Sequence, residues 1–491
     1  MVYMSEIYCI YPELFLITSL SLMVIFFVLL DSFYNHKIIL IQLSGKVLII
    51  IYLYSIILLN LNIFDLFLFN DLLVVNNFIN LIKSILISSL LICILISFNY
   101  IKFEKLFKYE YFLLLGFSSI GMLTIVSCND LITMYIGIEI QSLCFYILAT
   151  IKVYNNFSTE AGLKYFILGA FSSGILLFGC SFIYGSLGTT NFSEIQLLIN
   201  NFYLLSENSK ILLLGFLFVI FAILFKIGAV PFHMWLPDVY EGVPTSVTAI
   251  FAIVPKIALF ALFLRLNIIL IFDNNIYLES VLMYSSLSSI IIGTLGALYQ
   301  TKIKRLLAFS AVSHVGFLLI CFLFFNVWNI FALFFYIVIY IIISINIFTI
   351  LLTLRKVNNN LKLKKINEFI ILFKSNPLLA INFCLVLFSI AGIPPLVGFY
   401  SKLYIFISAI KSEIYLVALI ASLFSVIACL YYIRLIKLMF FKNIDYWALF
   451  FKLNKIESLI LSLTCSFNLL FFIYPEIFVF PIYNIILNLS Y

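Results

Sequence analysis

The chain is nearly empty of charge. Asp, Glu, Lys and Arg make up 10% of its 491 residues, against about 25% in a soluble domain. With 65% of the residues hydrophobic, water cannot be the solvent for most of this surface. Its nine cysteines are dispersed, most of them inside apolar runs, and no CxxC pair occurs. Neither a disulfide framework nor a metal framework is therefore expected. There is no Walker A loop, no GxGxxG turn and no clustered metal ligands, so the chain holds no nucleotide site of those kinds. No stretch is long enough for a soluble domain; the longest polar one, about 355–376, cannot build its own core. The first apolar run lacks a basic leader and passes straight into further runs, so no cleaved signal peptide is expected.

What is present is a succession of continuous apolar runs. In lipid every backbone group must be satisfied internally, which leaves helices or a closed barrel. Barrel strands would alternate over about ten residues; these runs are continuous and about twenty residues long, so helices are expected. Fourteen spans are read near 13–31, 40–62, 82–99, 111–128, 131–150, 162–186, 211–232, 246–270, 279–300, 307–325, 329–351, 377–406, 413–436 and 457–480. The fold class is an all-α polytopic membrane protein. Phe and Tyr are abundant (55 and 30), a bias that fits an AT-rich organellar or endosymbiont genome and says nothing of chemistry.

The formal charge of +7 would suggest nucleic acid in a soluble protein. Here the cations sit in short loops, where they report topology, and no nucleic-acid partner is expected. Odd-numbered loops carry Lys37, Lys102, Lys105, Lys108, Lys152, Lys302, Lys304, Arg305, Arg355, Lys356, Lys362, Lys364, Lys365 and Lys374, then Lys437, Lys442, Lys452 and Lys455. Even-numbered loops hold little beyond Lys83, Lys210, Arg265 and Lys411, alongside Asp65, Asp71, Asp130 and Glu207. Odd loops then face the negative, cytoplasm-like side, and both termini face the other.

An ionisable side chain at the centre of a membrane helix costs about 2.5–3.5 kcal/mol on insertion scales and is a functional-site hypothesis by default. Glu139, Lys226, Lys256 and Lys402 lie deep in such runs. For Glu139 the structural alternative is a neutral, hydrogen-bonded acid; for Lys226 and Lys256 it is snorkelling to an interface. Gly392, Pro394, Pro395 and Gly398 interrupt the helix before Lys402, and Pro231 does so after Lys226. Unwound backbone at membrane depth is tolerated only inside protein or beside water, so a hydrated path is expected there. His314, within a span, is a weaker candidate, and His233 near a span end reads as interfacial. Lys164 follows Glu160 by one turn, which equally suits a helix-start ion pair.

The interrupted runs are the seventh and twelfth, five apart, and five is odd. Such a pair is the trace of an inverted repeat with an ion site at its interface. In this reading Lys226 alternates between pairing with Glu139 and standing alone, and passes a proton through water to Lys256 and Lys402. No energy source is visible in the chain, so the driving step belongs to another subunit.

Five segments carry a resemblance: IGIEIQSLCFYILAT (136–150), TEAGLKYFILGAFSSGILLFG (159–179), FKIGAVPFHMWLPDVYEGVPTSVTAIFA (225–252), TKIKRLLAFSAVSHVGF (301–317) and SIAGIPPLVGFYSKLYIF (389–406). They resemble the antiporter-like, proton-translocating membrane subunits of NADH:ubiquinone oxidoreductase, respiratory complex I. The pairing of GLKYFILGAFSSG with GIPPLVGFYSK points to subunit 2 of that group rather than subunits 4 or 5. The resemblance covers about 135–410. It implies fourteen helices, an N-terminal three-helix segment at 1–110, and a first repeat at 111–270 holding spans four to eight. It further implies an inverted second repeat at 279–440 holding spans nine to thirteen, a C-terminal helix at 441–491, and breaks in helices 7 and 12.

It also implies a proton-transfer path through Glu139, Lys226, Lys256 and Lys402, with His314 as a midplane polar residue and Lys164 as an ionisable residue on helix six. Relatives of the subunit 4 type place a Glu where Lys402 stands. No redox cofactor is expected in this chain: NAD, FMN, iron–sulfur clusters and ubiquinone are expected on other subunits. The implied partners are other membrane subunits of the complex, including neighbouring antiporter-like ones, and the bilayer. The implied location is the mitochondrial inner membrane, or else a bacterial plasma membrane. The nearest competing reading is an Mrp-type cation/proton antiporter subunit. A polytopic transferase or passive scaffold would keep its carboxylates in long loops and its spans free of charge, the reverse of this sequence.

Overall fold

Long apolar runs fold here as long helices. The computed structural model describes residues 2–33, 37–61, 66–106, 108–202, 208–270, 276–324, 326–357, 362–442 and 449–476, with Val479 and Tyr483. Asp65, Glu207 and most of the last expected span beyond 476 lie outside the described residues. In chain order come α1 (Val2–Phe33) and α2 (Lys37–Leu61), then a hairpin of β1 (Leu66–Leu68) and β2 (Leu73–Val75) with Leu66 opposite Val75. Next are α3 (Asn77–Phe103), α4 (Glu110–Ser127), α5 (Leu131–Ala149), α6 (Asn156–Leu187), α7 (Phe192–Phe202), α8 (Asn208–Ile227) and α9 (Trp235–Gly242). Then follow α10 (Thr245–Leu270), α11 (Ile276–Leu298), α12 (Ile303–Ile320), α13 (Val327–Thr353), a 3-10 turn (Ile366–Ile371) and α14 (Leu372–Ser375). The series closes with α15 (Pro377–Ala391), α16 (Val397–Lys411), α17 (Tyr415–Phe441) and α18 (Lys455–Leu470).

Among the described residues twelve helices are long and apolar enough to cross a membrane: α1 to α6, α8, α10 to α13, and α17. The expected spans outside that set are the interrupted pair α15–α16 and the shorter α18. The hairpin, α7 and α9 had no counterpart in the run-length reading, which registers only stretches of about twenty residues.

The helices begin and end where their orphan backbone groups find partners. The Asp130 carboxylate accepts from the amides of Ile132 (3.0 Å) and Thr133 (3.3 Å) at the start of α5. The Glu457 carboxylate accepts from the Asn454 amide (3.0 Å) as half of a capping box on α18. Gly188, at φ +76°, ends α6 in the left-handed conformation that glycine adopts without strain.

The two interruptions are built alike. At the end of α8 the carbonyl of Leu224 accepts from the amides of Gly228 and Ala229; at the end of α15 that of Phe388 accepts from Gly392 and Ile393. Both glycines have positive φ, +83° and +87°, and in both a proline follows three residues later, at Pro231 and Pro395. Gly398 must also be glycine, since a Cβ there would lie 1.8 Å from the carbonyl oxygen of Ser389.

Contacts sort the loops into two ends. At one end the Glu104 carboxylate meets Lys152, Arg355 (2.9 Å) and Lys362 (2.7 Å). There too Lys302 pairs with Glu241, Arg305 with Asp238 (3.0 Å), and Ile303 N donates to Lys364 O (3.1 Å). Burial by itself would raise the Glu104 carboxyl, but the charges of Lys362 and Lys152 outweigh it and hold it at about 2. At the other end Asn129 binds the Asp71 carbonyl (3.0 Å) and the Asn191 side chain (3.1 Å), and Leu131 N donates to Thr190 O (3.0 Å). The first set comes from odd loops and the second from even loops, so the described chain keeps the expected alternation.

The four cations assigned to even loops all lie in helices, Lys210 and Lys411 at the ends of α8 and α16 and the other two farther in. Lys83 lies inside α3, 1% exposed, and its ammonium is bound to Glu13 of α1. Arg265 lies inside α10 and donates to the carbonyls of Val126 (3.2 Å) and Cys128 and to Asn129 Oδ1 (3.2 Å), closing the end of α4. Lys83 and Arg265 both fall within the spans read from the apolar runs, 82–99 and 246–270, so each of these helices carries a cation inside its span.

The core is centred on α10, of whose most apolar stretch 94% is buried, against 33% for α6. It packs on α3, α13 and α4, which places Lys256 in the middle of the bundle.

Candidate functional site

Burial of polar side chains in the bundle follows one line from α5 to α16. On α5 Glu139, Ser142 and Tyr146 recur at i, i+3 and i+7, one helix face. The Ser142 hydroxyl donates to Glu139 Oε2 at 3.2 Å. Lys226, in the last turn of α8, directs its ammonium to the Tyr146 hydroxyl at 3.4 Å and lies 5.8 Å from that ring's centre. Tyr146 has room because α6 carries Gly169 there; a Cβ at 169 would lie 2.0 Å from its hydroxyl oxygen.

Lys226 and Glu139 do not form an ion pair in this structure. Among the described residues no carboxylate is paired with Lys226, Lys256 or Lys402, whose partners are hydroxyl and carbonyl oxygens. Glu139 is half-buried, between the exposed Ile136 and Leu143 on the outer side of α5.

A small cavity joins this region to α10. Its walls include Ser142, Lys226, Tyr240 and Lys256, and Gln141, whose buried Oε1 has no protein partner. A buried site lined by several unsatisfied or multivalent polar groups can hold water. Lys256 then donates to the Tyr340 hydroxyl on α13 at 2.9 Å and lies 4.6 Å from the centre of that ring. Tyr340 belongs to a second cavity, together with Tyr240, Ser310, His314, Tyr336 and Lys402. The two cavities therefore share Tyr240 and meet at the Lys256–Tyr340 bond.

In the second cavity His314 Nδ1 lies 2.6 Å from the Tyr336 hydroxyl. Lys402, on the first turns of α16, donates to the Ala391 carbonyl at 2.8 Å. That carbonyl is available because Gly392 and Ile393 turn the chain out of α15 before it can be used within the helix. The side chain reaches it across Gly392, where a Cβ would lie 3.0 Å from Lys402 Cδ and 3.2 Å from Nζ.

The structure thus gathers Lys226, Lys256, His314 and Lys402 along one chain of cavities and leaves two candidates outside it. Glu139 reaches the line only through Ser142 and Tyr146. Lys164 is exposed on α6, where it pairs with Glu160 (2.8 Å) and Asp238 (3.0 Å). His233, expected at an interface, is buried at 4% exposure with Nδ1 unpartnered; the turn after Gly228 folds it inward, a path the run length of the seventh span does not reveal.

Sequence reasoning missed the hydroxyls. Tyr336, Tyr340 and Ser344 recur every four residues within FFYIVIYIIIS, a polar stripe on an otherwise apolar helix. That periodicity was the available signal, and all three line the second cavity. A lysine bound to a hydroxyl has a neighbour that accepts its proton on one side and donates on the other, so the arrangement suits stepwise proton movement.

A profile of NADH:quinone oxidoreductase/Mrp antiporter transmembrane proteins matches residues 128–428. The NADH-ubiquinone oxidoreductase chain 2 of Marchantia polymorpha is 45% identical over 406 residues, 82% of either chain. The NADH-quinone oxidoreductase subunit N of Rhodospirillum rubrum is 39% identical over 373 residues, 76% of each. Among solved structures, a chain of respiratory complex I from Thermus thermophilus superposes with a TM-score of 0.76 at 23% identity, covering 94% of this chain and 98% of that one.

Proposed function

This chain belongs to the family of NADH:quinone oxidoreductase and Mrp antiporter transmembrane subunits, and from that membership we propose that it carries protons across the membrane as part of an NADH:ubiquinone oxidoreductase. It is a multi-pass inner-membrane protein, of the mitochondrion on this reading. The relatives named chain 2 and subunit N favour the respiratory subunit over a free-standing cation/proton antiporter.

The observation that carries the reading is the 2.9 Å bond between Lys256 and Tyr340, which joins the Lys226 cavity to the Lys402 cavity. A proton held on Lys226 passes by cavity water to Lys256, and from there through cavity water oriented by the Tyr340 hydroxyl to His314 or Lys402. Lysine and histidine are the protonatable stations; the tyrosine and serine hydroxyls orient water between them. Glu139 and Lys164, on the outer side, act toward neighbouring antiporter-like subunits, and Glu139 supplies the negative charge that biases Lys226. The chain contributes no redox centre. NADH oxidation and quinone reduction, with their FMN and iron–sulfur clusters, belong to other subunits and supply the driving step.

Two inverted five-helix repeats, at 111–270 and 279–440, fit the matching construction of the breaks after Leu224 and Phe388. The segment 1–110 and the C-terminal part from 441 flank them.

The test is Lys256→Ala in the intact complex, purified and reconstituted into sealed vesicles. Quinone reduction should persist while proton uptake coupled to it falls to background. Full pumping by an assembled Lys256→Ala complex would overturn the proposal.

A further inference from the structure

A group of charges at the basic-loop end takes no part in the line from Lys226 to Lys402. There Lys152, Arg355 and Lys362 all meet the Glu104 carboxylate. Lys304 stands in the same charge field and donates to the Val243 carbonyl at 2.6 Å; among the described residues it has no carboxylate of its own. The neighbouring Glu241 is held by Lys302 and by Arg305 (3.4 Å). Four cations and one carboxylate leave a net charge of +3. Such an excess is costly where side chains are buried, and Arg355 is 2% exposed.

The backbone beneath the cluster has the same sign. Val243 leads into α10, and the start of a helix carries a partial positive charge and amides with no partner inside the helix. Thr248 N bonds Pro244 O at 2.9 Å, and Thr245 N donates to the Tyr100 hydroxyl at 2.9 Å. That hydroxyl also accepts from Lys362, whose ammonium lies 4.1 Å from the centre of the Tyr100 ring, and the Arg355 guanidinium lies 5.1 Å from it. The α10 start, Tyr100, Lys362, Arg355 and Glu104 are therefore one contiguous group. A helix start is stabilised by anions; this one faces cations.

The spare hydrogen-bonding capacity is that of donors. Among the described residues Arg355 Nε, Thr245 Oγ1 and Ser246 Oγ are buried with no hydrogen-bond partner. The Tyr100 hydroxyl accepts twice, so its own proton is also free to be given. Glu104, the acceptor at hand, already serves three cations.

We propose that the start of α10, with Tyr100, Thr245, Ser246, Arg355 and Lys362 around it, is a binding site for a phosphate-type oxyanion. Such an anion offers several acceptor oxygens to a guanidinium, an ammonium, hydroxyls and helix-start amides at once, and it offsets the excess charge. Lys152 and Lys362, whose side chains are about one-fifth exposed, leave the way in from the aqueous side. The site sits over α10, which packs among α3, α4 and α13 in the middle of the bundle, away from the lipid-facing rim. Its occupant is therefore a free anion of the basic-loop compartment and not a lipid headgroup. Bound there, it joins the segment after α13 to α3 and α10. The site does not depend on proton carriage.

The test images the intact complex by electron cryomicroscopy in phosphatidylcholine nanodiscs, once in potassium phosphate and once in potassium gluconate at matched ionic strength. A third sample uses phosphatidylglycerol nanodiscs in gluconate. Compact density beside Tyr100, Thr245 and Arg355 is expected in phosphate and in neither gluconate sample. Thr245→Val and Ser246→Ala remove hydroxyls that no protein group uses, so both should assemble and keep the parent thermal midpoint in gluconate. Each should need about tenfold more phosphate for half-saturation, read from the thermal midpoint along a phosphate titration. Absent density in phosphate, or equal density in gluconate, overturns the proposal. So does density that follows phosphatidylglycerol, which would assign the donors to a lipid headgroup. Half-saturation unchanged in both hydroxyl variants overturns it as well.

Discussion

Lys256 and Tyr340 meet across the centre of the bundle, ammonium to hydroxyl at 2.9 Å, with the same ammonium 4.6 Å from the ring centre. The hydroxyl and the ring thus contribute separately. A Tyr340→Phe complex keeps the ring and loses the acceptor. Leaving a buried donor without its partner costs about 1–3 kcal/mol, so coupled proton uptake should slow by roughly 5- to 150-fold. Assembly should be retained. Proton uptake measured against quinone reduction in vesicles checks it; an unchanged ratio and rate would remove Tyr340 from the path.

Gly392→Ala should impair coupling more than assembly. The added methyl meets Lys402 at 3.0 Å, and the backbone sits at φ +87°, a conformation costing about 1–2 kcal/mol for an L residue. The flexible lysine tail yields first and leaves the Ala391 carbonyl. Gly185→Ala, where a Cβ meets nothing within 4 Å, should leave both properties at the parent level. Comparison of the two variants by thermal stability and proton uptake separates the effects.

The Glu13–Lys83 pair ties α1 to α3 with the lysine 1% exposed. Removing one partner strands a buried charge, at a cost of about 3–5 kcal/mol, while replacing both by apolar side chains is often neutral. Glu13→Leu alone should therefore lower the thermal midpoint of the complex or block its assembly. Glu13→Leu with Lys83→Met should recover most of the loss. A double variant as damaged as the single one would mean that the pair does more than hold the helices together.

Glu104 gives a pH dependence with a definite sign. Its carboxyl is held at about 2, below the ordinary 4.5. A depressed carboxyl stabilises the folded form above its unfolded value, and that contribution disappears only as pH falls through the folded one. The difference in thermal midpoint between the parent and Glu104→Gln should therefore stay constant from pH 8 to about 5 and begin to shrink below about 4.5. A difference that shrinks between pH 8 and 6 would show that the three surrounding cations do not hold the carboxylate.

Composition and run length were enough to anticipate helices, their alternation and the two interrupted spans, because in lipid these follow from hydrogen-bond satisfaction along a local stretch. The lysines and His314 stood out because charge in an apolar run is costly wherever the chain goes. Their partners did not. Tyr340 is 84 residues from Lys256, and an aromatic hydroxyl among Ile and Phe looks like core until the two helices are packed. Lys83 and Arg265 were misplaced for the opposite reason: each is satisfied by a distant group, Glu13 or the end of α4, so it tolerates a depth that sequence alone refuses it. Lys226 was expected to alternate between pairing with Glu139 and standing apart from it; here its ammonium meets the Tyr146 hydroxyl, a partner that opposite charge does not point to.

Lys402 is held by the main chain, through the oxygen of residue 391. A side-chain scan of α15 would pass over that ligand, because replacing Ala391 with any other residue leaves its carbonyl in place. Comparison of sequences is blind to it as well; what must be kept is the bend that frees the oxygen, encoded in Gly392 and the prolines after it. An element essential to such a site can thus be indifferent to the identity of the residue that supplies it.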